Sequence, residues 1–158
     1  MAQHFLFRSA SVYLTLYLRY GDKADFLRPP FSARWRERLQ ILDRLIGGLA
    51  DKTLRAGVPL MLGFVPQMAQ VMLMAGNPVP PGIDPSALQA AIAAIATRHG
   101  VLFADTSVAL REKRMPERLF YEVDGHRSGE GQPVAAAYIG QSYANAPRGL
   151  LRLSCWLS

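Results

Sequence analysis

The chain has little of several things that would identify a protein at once. It holds a single cysteine, Cys155, which excludes an intrachain disulfide framework. It holds three histidines, His4, His99 and His126. No Cys, Asp or Glu cluster stands near His4 or His99 at ligand spacing, so no metal role is expected for either. No stretch of five residues is wholly basic, although the formal net charge is +6 and the pI about 9.9. Such a charge could signal an anionic partner, but the arginines are spread from Arg8 to Arg152. The densest patch, "RWRER" at Arg34–Arg38, falls at the start of an amphipathic segment and reads as a solvated face. No zinc-finger spacing or RNA-binding signature appears, so no nucleic-acid partner is expected. Long apolar runs are also missing. Arg8 interrupts "MAQHFLFRSASVYLTLYLRYGDK", which has no basic start before an apolar core. Val58–Gly76 carries Pro59, Pro66, Gln67 and Gln70, a poor composition for a membrane span.

What is present is a globular composition: 158 residues, half of them apolar and 19% charged. This suits one domain with a sizeable core. Phe5–Tyr20 is apolar around two helical faces and predicts a largely buried helix ending at Gly21. "GDKADFLRPPF" then reads as a polar, proline-stopped connection. Ser32 is a candidate N-cap. Trp35, Leu39, Leu42, Ile46 and Leu49 form one helical stripe behind it, and Gly57 stands where a C-terminal glycine belongs. "VPLMLGFVP" has the pattern of a buried strand. A Pro- and Gly-rich loop, Gly76–Gly82, follows it, and Met61, Met68, Met72 and Met74 are expected to fill core. Asp84 can cap a helix with Pro85 at its first position and Leu88, Ile92 and Ile95 on its inner face. Gly100 ends that helix and "VLFAD" is the next strand. Asp105 reads as a turn or capping residue. Pro133–Tyr143 predicts a last helix packing Val134, Ala137, Tyr138 and Ile139 on the sheet. Strand, helix, strand with short links implies a parallel pair with a right-handed crossover.

One loop carries chemistry-bearing residues: "YEVDGHRSGEGQ", Tyr121–Gln132. It places Asp124 and His126 on either side of Gly125. A serine hydroxyl needs a base to take its proton as it attacks. Histidine suits that role because it titrates near neutrality. A carboxylate holds the imidazole in the useful tautomer and stabilises the imidazolium. Gly125 can adopt backbone angles closed to other residues, so one loop can deliver both groups. In an open parallel sheet, ligands gather at the carboxyl ends of the strands. The same spacing also occurs in ordinary surface loops.

The longer stretch "LFYEVDGHRSGEGQPVAAAYI" resembles the final motif of the SGNH or GDSL hydrolases: an acid–histidine pair, a cap residue, a glycine and an Ala-rich terminal helix. The resemblance implies His126 as the base and Asp124 as its orienting acid. Ser128 would be the helix cap in the family's usual Asn position, and Gly131 the later glycine. Gln132 stands where a second histidine is common. "GVPLMLGFVPQ" and "HGVLFADTSVAL" resemble the family's strands before that motif, so the likeness runs from about Trp35 to Ala144. It implies an α/β fold, a three-layer α/β/α sandwich with a mostly parallel sheet. It implies an ester substrate, small-molecule or carbohydrate, and no metal or organic cofactor.

The nucleophile that the resemblance requires is missing. "YGDKAD" at Tyr20–Asp25 carries Lys23 where a G-D-S motif has its serine, and it follows a helix rather than a strand. No G-x-N-D motif is present; Asn77 and Asn145 lie in other contexts. Ser9 and Ser11 fall in the first helix, Ser32 and Ser128 read as caps, and no serine has a nucleophile-elbow context. The expectation is therefore residues 1–146 as the C-terminal portion of one SGNH-like domain, incomplete at its N-terminus, with 147–158 as a tail. The complete enzyme would be a serine esterase, or an O-acetyltransferase acting on a polysaccharide, and this chain alone would be inactive. The rival expectation is a non-catalytic α/β domain for binding or assembly.

Overall fold

The computed structural model describes residues 10–19, 21–121 and 125–146. Six α-helices and two strands run through them: α1 (Ala10–Arg19), α2 (Ala33–Arg55), β1 (Met61–Phe64), α3 (Met68–Met74), α4 (Ala87–Arg98), β2 (Leu102–Asp105), α5 (Ser107–Arg111) and α6 (Gly131–Ala144). The two strands run parallel, with Met61 opposite Leu102 and Phe64 opposite Asp105. The molecule is a mixed α/β fold, mostly helical, with this two-stranded parallel sheet packed between helices. Among the described residues the sheet is narrower than the layer expected of a three-layer sandwich.

Both helices that lead into strands end in the same way. Gly57 and Gly100 take φ of +71° and +66°, the left-handed region where a side chain would be strained. Val58 donates back to Thr53 and Gly57 to Leu54; Val101 donates to Ala96 and Gly100 to Thr97. Each set closes a Schellman motif and satisfies the last helical carbonyls. The strands then alternate their side chains. Leu60, Leu62 and Phe103 pack on a core of Ile46 from α2, Ile95 and Ala96 from α4, and Val101 from the link before β2. On the opposite face Ile139 of α6 lies against Gly63, 3.4 Å from where a β-carbon would stand.

A second core surrounds α3, whose Met68–Leu73 are all buried. Tyr13 and Leu14 of α1, Phe26, Leu27, Leu110 and Leu119 pack around it. Burial on every side explains why no helical period marks the segment in sequence: it has no polar face. Its one polar residue, Gln70, accepts from the Gln67 backbone N–H at 3.0 Å and donates to the Pro85 carbonyl at 3.1 Å.

Several boundaries and faces depart from expectation. Among the described residues α1 buries only Tyr13 and Leu14, and Val12 is exposed; the Phe5–Ser9 part of the expected helix lies outside them. The "GDKADFLRPPF" connection is not merely polar. It forms two 3-10 turns, Gly21–Lys23 and Asp25–Leu27, and buries Ala24, Phe26 and Leu27. Leu49 is exposed rather than part of the inward stripe of α2. Asp84 does not cap α4: it accepts from the Ser86 N–H at 2.8 Å within a turn that holds Pro85, and α4 begins at Ala87 with Ser86 as its N-cap. In α6 the buried residues are Gly131 and Ala135, while Ala137 faces outward. Pro133 occupies the third position of α6, where its missing N–H has no intrahelical partner to lose. The tail 147–158 lies outside the described residues.

Candidate functional site

The loop bearing His126 is tied at its base. Phe120 and Arg127 form an antiparallel bridge. Inside it the Tyr121 N–H donates to the His126 carbonyl at 2.6 Å, and the Gly125 N–H donates to the Tyr121 carbonyl at 3.0 Å. Such a closure needs one residue in the left-handed region, and Gly125 supplies it with φ +73°. A β-carbon at Gly125 would also meet the Tyr13 hydroxyl at 3.6 Å and Met68 at 3.7 Å. The loop thus rests on α1 and α3. Asp124 lies outside the described residues.

Ser128 anchors the exit of the loop. Its hydroxyl donates to the Arg118 carbonyl at 2.9 Å and accepts from the N–H groups of Glu130 and Gly131 at 3.3 and 3.4 Å. The Gly131 and Gln132 N–H groups both donate to the Ser128 carbonyl at 3.1 Å. Gly131 itself packs against backbone: a β-carbon there would stand 2.2 Å from the Leu119 carbonyl oxygen.

His126 is exposed. It lines a cleft of 140 Å³ with Val65, Pro66 and Gln67, the residues that follow β1, and with Phe120 and Arg127. His126 therefore borders open space at the carboxyl end of a parallel strand. Beside it Gln67 is exposed.

The described serines hold other partners. Ser32 bonds Asp25 and accepts the Trp35 N–H at 3.4 Å, which makes it the expected cap of α2. Ser86 donates to Asp84 at 2.6 Å. Ser107 is fully buried, with its hydroxyl 3.2 Å from Gln89 Oε1, and its N–H donates to Asp105 at 2.9 Å. Asp105 thus serves as a turn residue at the start of α5. Ser142 donates to the Tyr138 carbonyl at 2.8 Å. Ser11 stands exposed on α1. None of Ser32, Ser86, Ser107, Ser128, Ser142 or Ser11 lines the His126 cleft.

A different acid–histidine pair forms at the opposite end of the sheet. His99 Nε2 lies 2.7 Å from Asp43 Oδ1, and Arg98 bonds the other oxygen of the same carboxylate. The pair ties the end of α4 to α2. Gly47 makes room for it, since a β-carbon there would stand 2.8 Å from the His99 ring. The 56-residue separation leaves no sequence signal for it. His99 also borders a cleft of 230 Å³ next to Asp51 and Thr53. Deep in the α3 core, burial and the neighbouring Tyr17 push the Tyr13 hydroxyl far above its ordinary range, against a hydrogen bond with the Ala69 backbone that lowers it. Among the described residues, no three His, Cys, Asp or Glu side chains gather to hold a metal ion, and no helix is long and apolar enough to cross a membrane.

Comparison of the chain with family models, with curated proteins and with solved structures gives no match in any of the three.

Proposed function

We propose that this chain carries the acid–base part of an ester-processing site of the SGNH hydrolase type, with His126 as general base and Asp124 as the carboxylate that orients it. The observation that supports this most is the position of His126: exposed, on a loop closed at its base, at the rim of a cleft beyond the carboxyl end of β1. A base there can take a proton from a hydroxyl as it attacks an acyl carbon, and return it to the departing oxygen. The acceptor in the second half of the reaction is water or a sugar hydroxyl, and the base serves both in the same way. None of the described serines lines the cleft of His126. In this reading the attacking serine is not in the chain, and the chain alone turns over no ester.

Two measurements test the reading. A carboxylate bonded to the imidazole gives a far-downfield N–H proton resonance at low temperature. It is expected in the full chain and lost in Asp124→Asn and in His126→Gln; its absence from the full chain overturns the pair. Hydrolysis of p-nitrophenyl acetate by the full chain is expected to equal that of His126→Ala. A His126-dependent burst would show a nucleophile within the chain and overturn the missing-serine part.

A further inference from the structure

The arginine-rich patch at the start of α2 does more than meet solvent. Arg34 and Arg38, four residues apart and so on one helical face, line a cleft of 590 Å³ between α2 and the turns that follow α1. Lys23 adds a third cation to the lining. Asp22 is the single acid among the described lining residues. Arg34 meets it at 3.4 Å with the two side chains 62% and 92% exposed, and an ion pair so exposed is weak and readily exchanged.

Arg38 is held in place by its surroundings. Its guanidinium lies 4.8 Å over the Trp35 ring, and Phe26 packs on that indole at 5.6 Å. Contact with the ring face leaves the N–H fork for a ligand. At the helix N-terminus Ser32 already accepts the Trp35 N–H. The wall offers planar forks, which match an oxyanion such as a carboxylate. Tyr17 and Gln67 add hydrogen-bonding groups and Leu88 an apolar surface, a mixture suited to a hydroxylated ring. The space falls within the usual size of a small-ligand site. Gln67 also lines the cleft of His126, so the two openings share a wall.

We propose that this cleft binds the carboxylate of an acidic sugar, a uronate unit of an oligosaccharide, with Arg34 and Arg38 as its anchors. Resting on the ester-processing reading above, the acidic sugar is the alcohol side of the ester whose acyl group faces His126.

Titration of the full chain with digalacturonic acid, by calorimetry and by amide shifts, tests the cleft without any turnover. Binding is expected, with shifts at residues 34–38. The neutral dimethyl ester is expected to bind about tenfold more weakly, since it loses the charge-assisted bonds. Arg34→Gln and Arg38→Gln are each expected to weaken binding by about tenfold. Arg36→Gln removes the same charge from the same helix outside the lining, and is expected to change affinity less than about twofold. Absence of binding, equal binding of the dimethyl ester, or equal effects of all three substitutions overturns the proposal. Equal affinity for inorganic phosphate overturns the sugar assignment. If Arg38→Gln loses its fold with the Trp35 stack, Arg34→Gln decides. Because the readout is affinity, a failed ester reading leaves this cleft standing, and a failed cleft leaves the ester reading to its own measurements.

Discussion

At the scale of the residue, the same substitution has opposite outcomes at two glycines. A β-carbon at Gly131 would lie 2.2 Å from the Leu119 carbonyl oxygen, whereas at Gly48, mid-way along α2, it would meet nothing within 4 Å. Gly131→Ala must push α6 off the turn before it and is expected to destabilise by about 1–3 kcal/mol. Gly48→Ala removes a flexible residue from an exposed helical position and is expected to stabilise by about 0.5–1 kcal/mol. Urea midpoints of the two variants check both signs. Tyr13 gives a prediction in pH. Burial raises its hydroxyl above the unfolded value, which is about 10. The unfolded chain therefore loses this proton first as pH rises. Stability from this group is complete below about pH 10 and falls progressively above it. Denaturation at alkaline pH is expected to show that decline, and Tyr13→Phe to flatten it. Tyr17, raised by burial as well, is expected to leave a residual slope.

At the scale of the element, α3 depends on one polar side chain. Gln70 is buried to 1% exposure and links the start of α3 to the turn before α4. Gln70→Leu keeps the volume and leaves the Pro85 carbonyl and the Gln67 N–H without that partner. It is expected to cost about 1–3 kcal/mol, read as a lower thermal midpoint with the helical signal retained. This helix also marks the limit of what could be read from the sequence. The stripe of α2 and the apolar runs of β1 and β2 each have a boundary signal of their own: Ser32, Gly57, Gly100. Met68–Met74 has no polar face, so periodicity could not separate it from an apolar loop. Likewise Ala135 and Ala137 look alike in sequence, and only packing selects the first for burial. The loop of His126 and the turn glycine at 125 were legible because they are local. Asp43 with His99, and Arg34 and Arg38 with Lys23 and Gln67, come together only through folding.

At the scale of the whole molecule, the cores under α2 and around α3 leave part of α2 uncovered. Ile41, Leu45 and Leu49 follow a four-residue spacing and are 42%, 59% and 48% exposed. Apolar side chains arranged in a row on a surface favour self-association. Leu45→Lys is expected to change the unfolding free energy by no more than about 0.5 kcal/mol, as read from urea denaturation.

The matched glycine turns at 57 and 100 have a bearing on how this chain can vary. Each launches a strand after a link of fixed count, three residues to Met61 and one to Leu102, and a strand's two sides alternate with period two. Lengthening either link by one residue would invert that strand, sending Leu62 or Phe103 outward and a neighbour inward. Insertions are thus tolerated in pairs or not at all at these links, while the surface turns elsewhere carry no such parity.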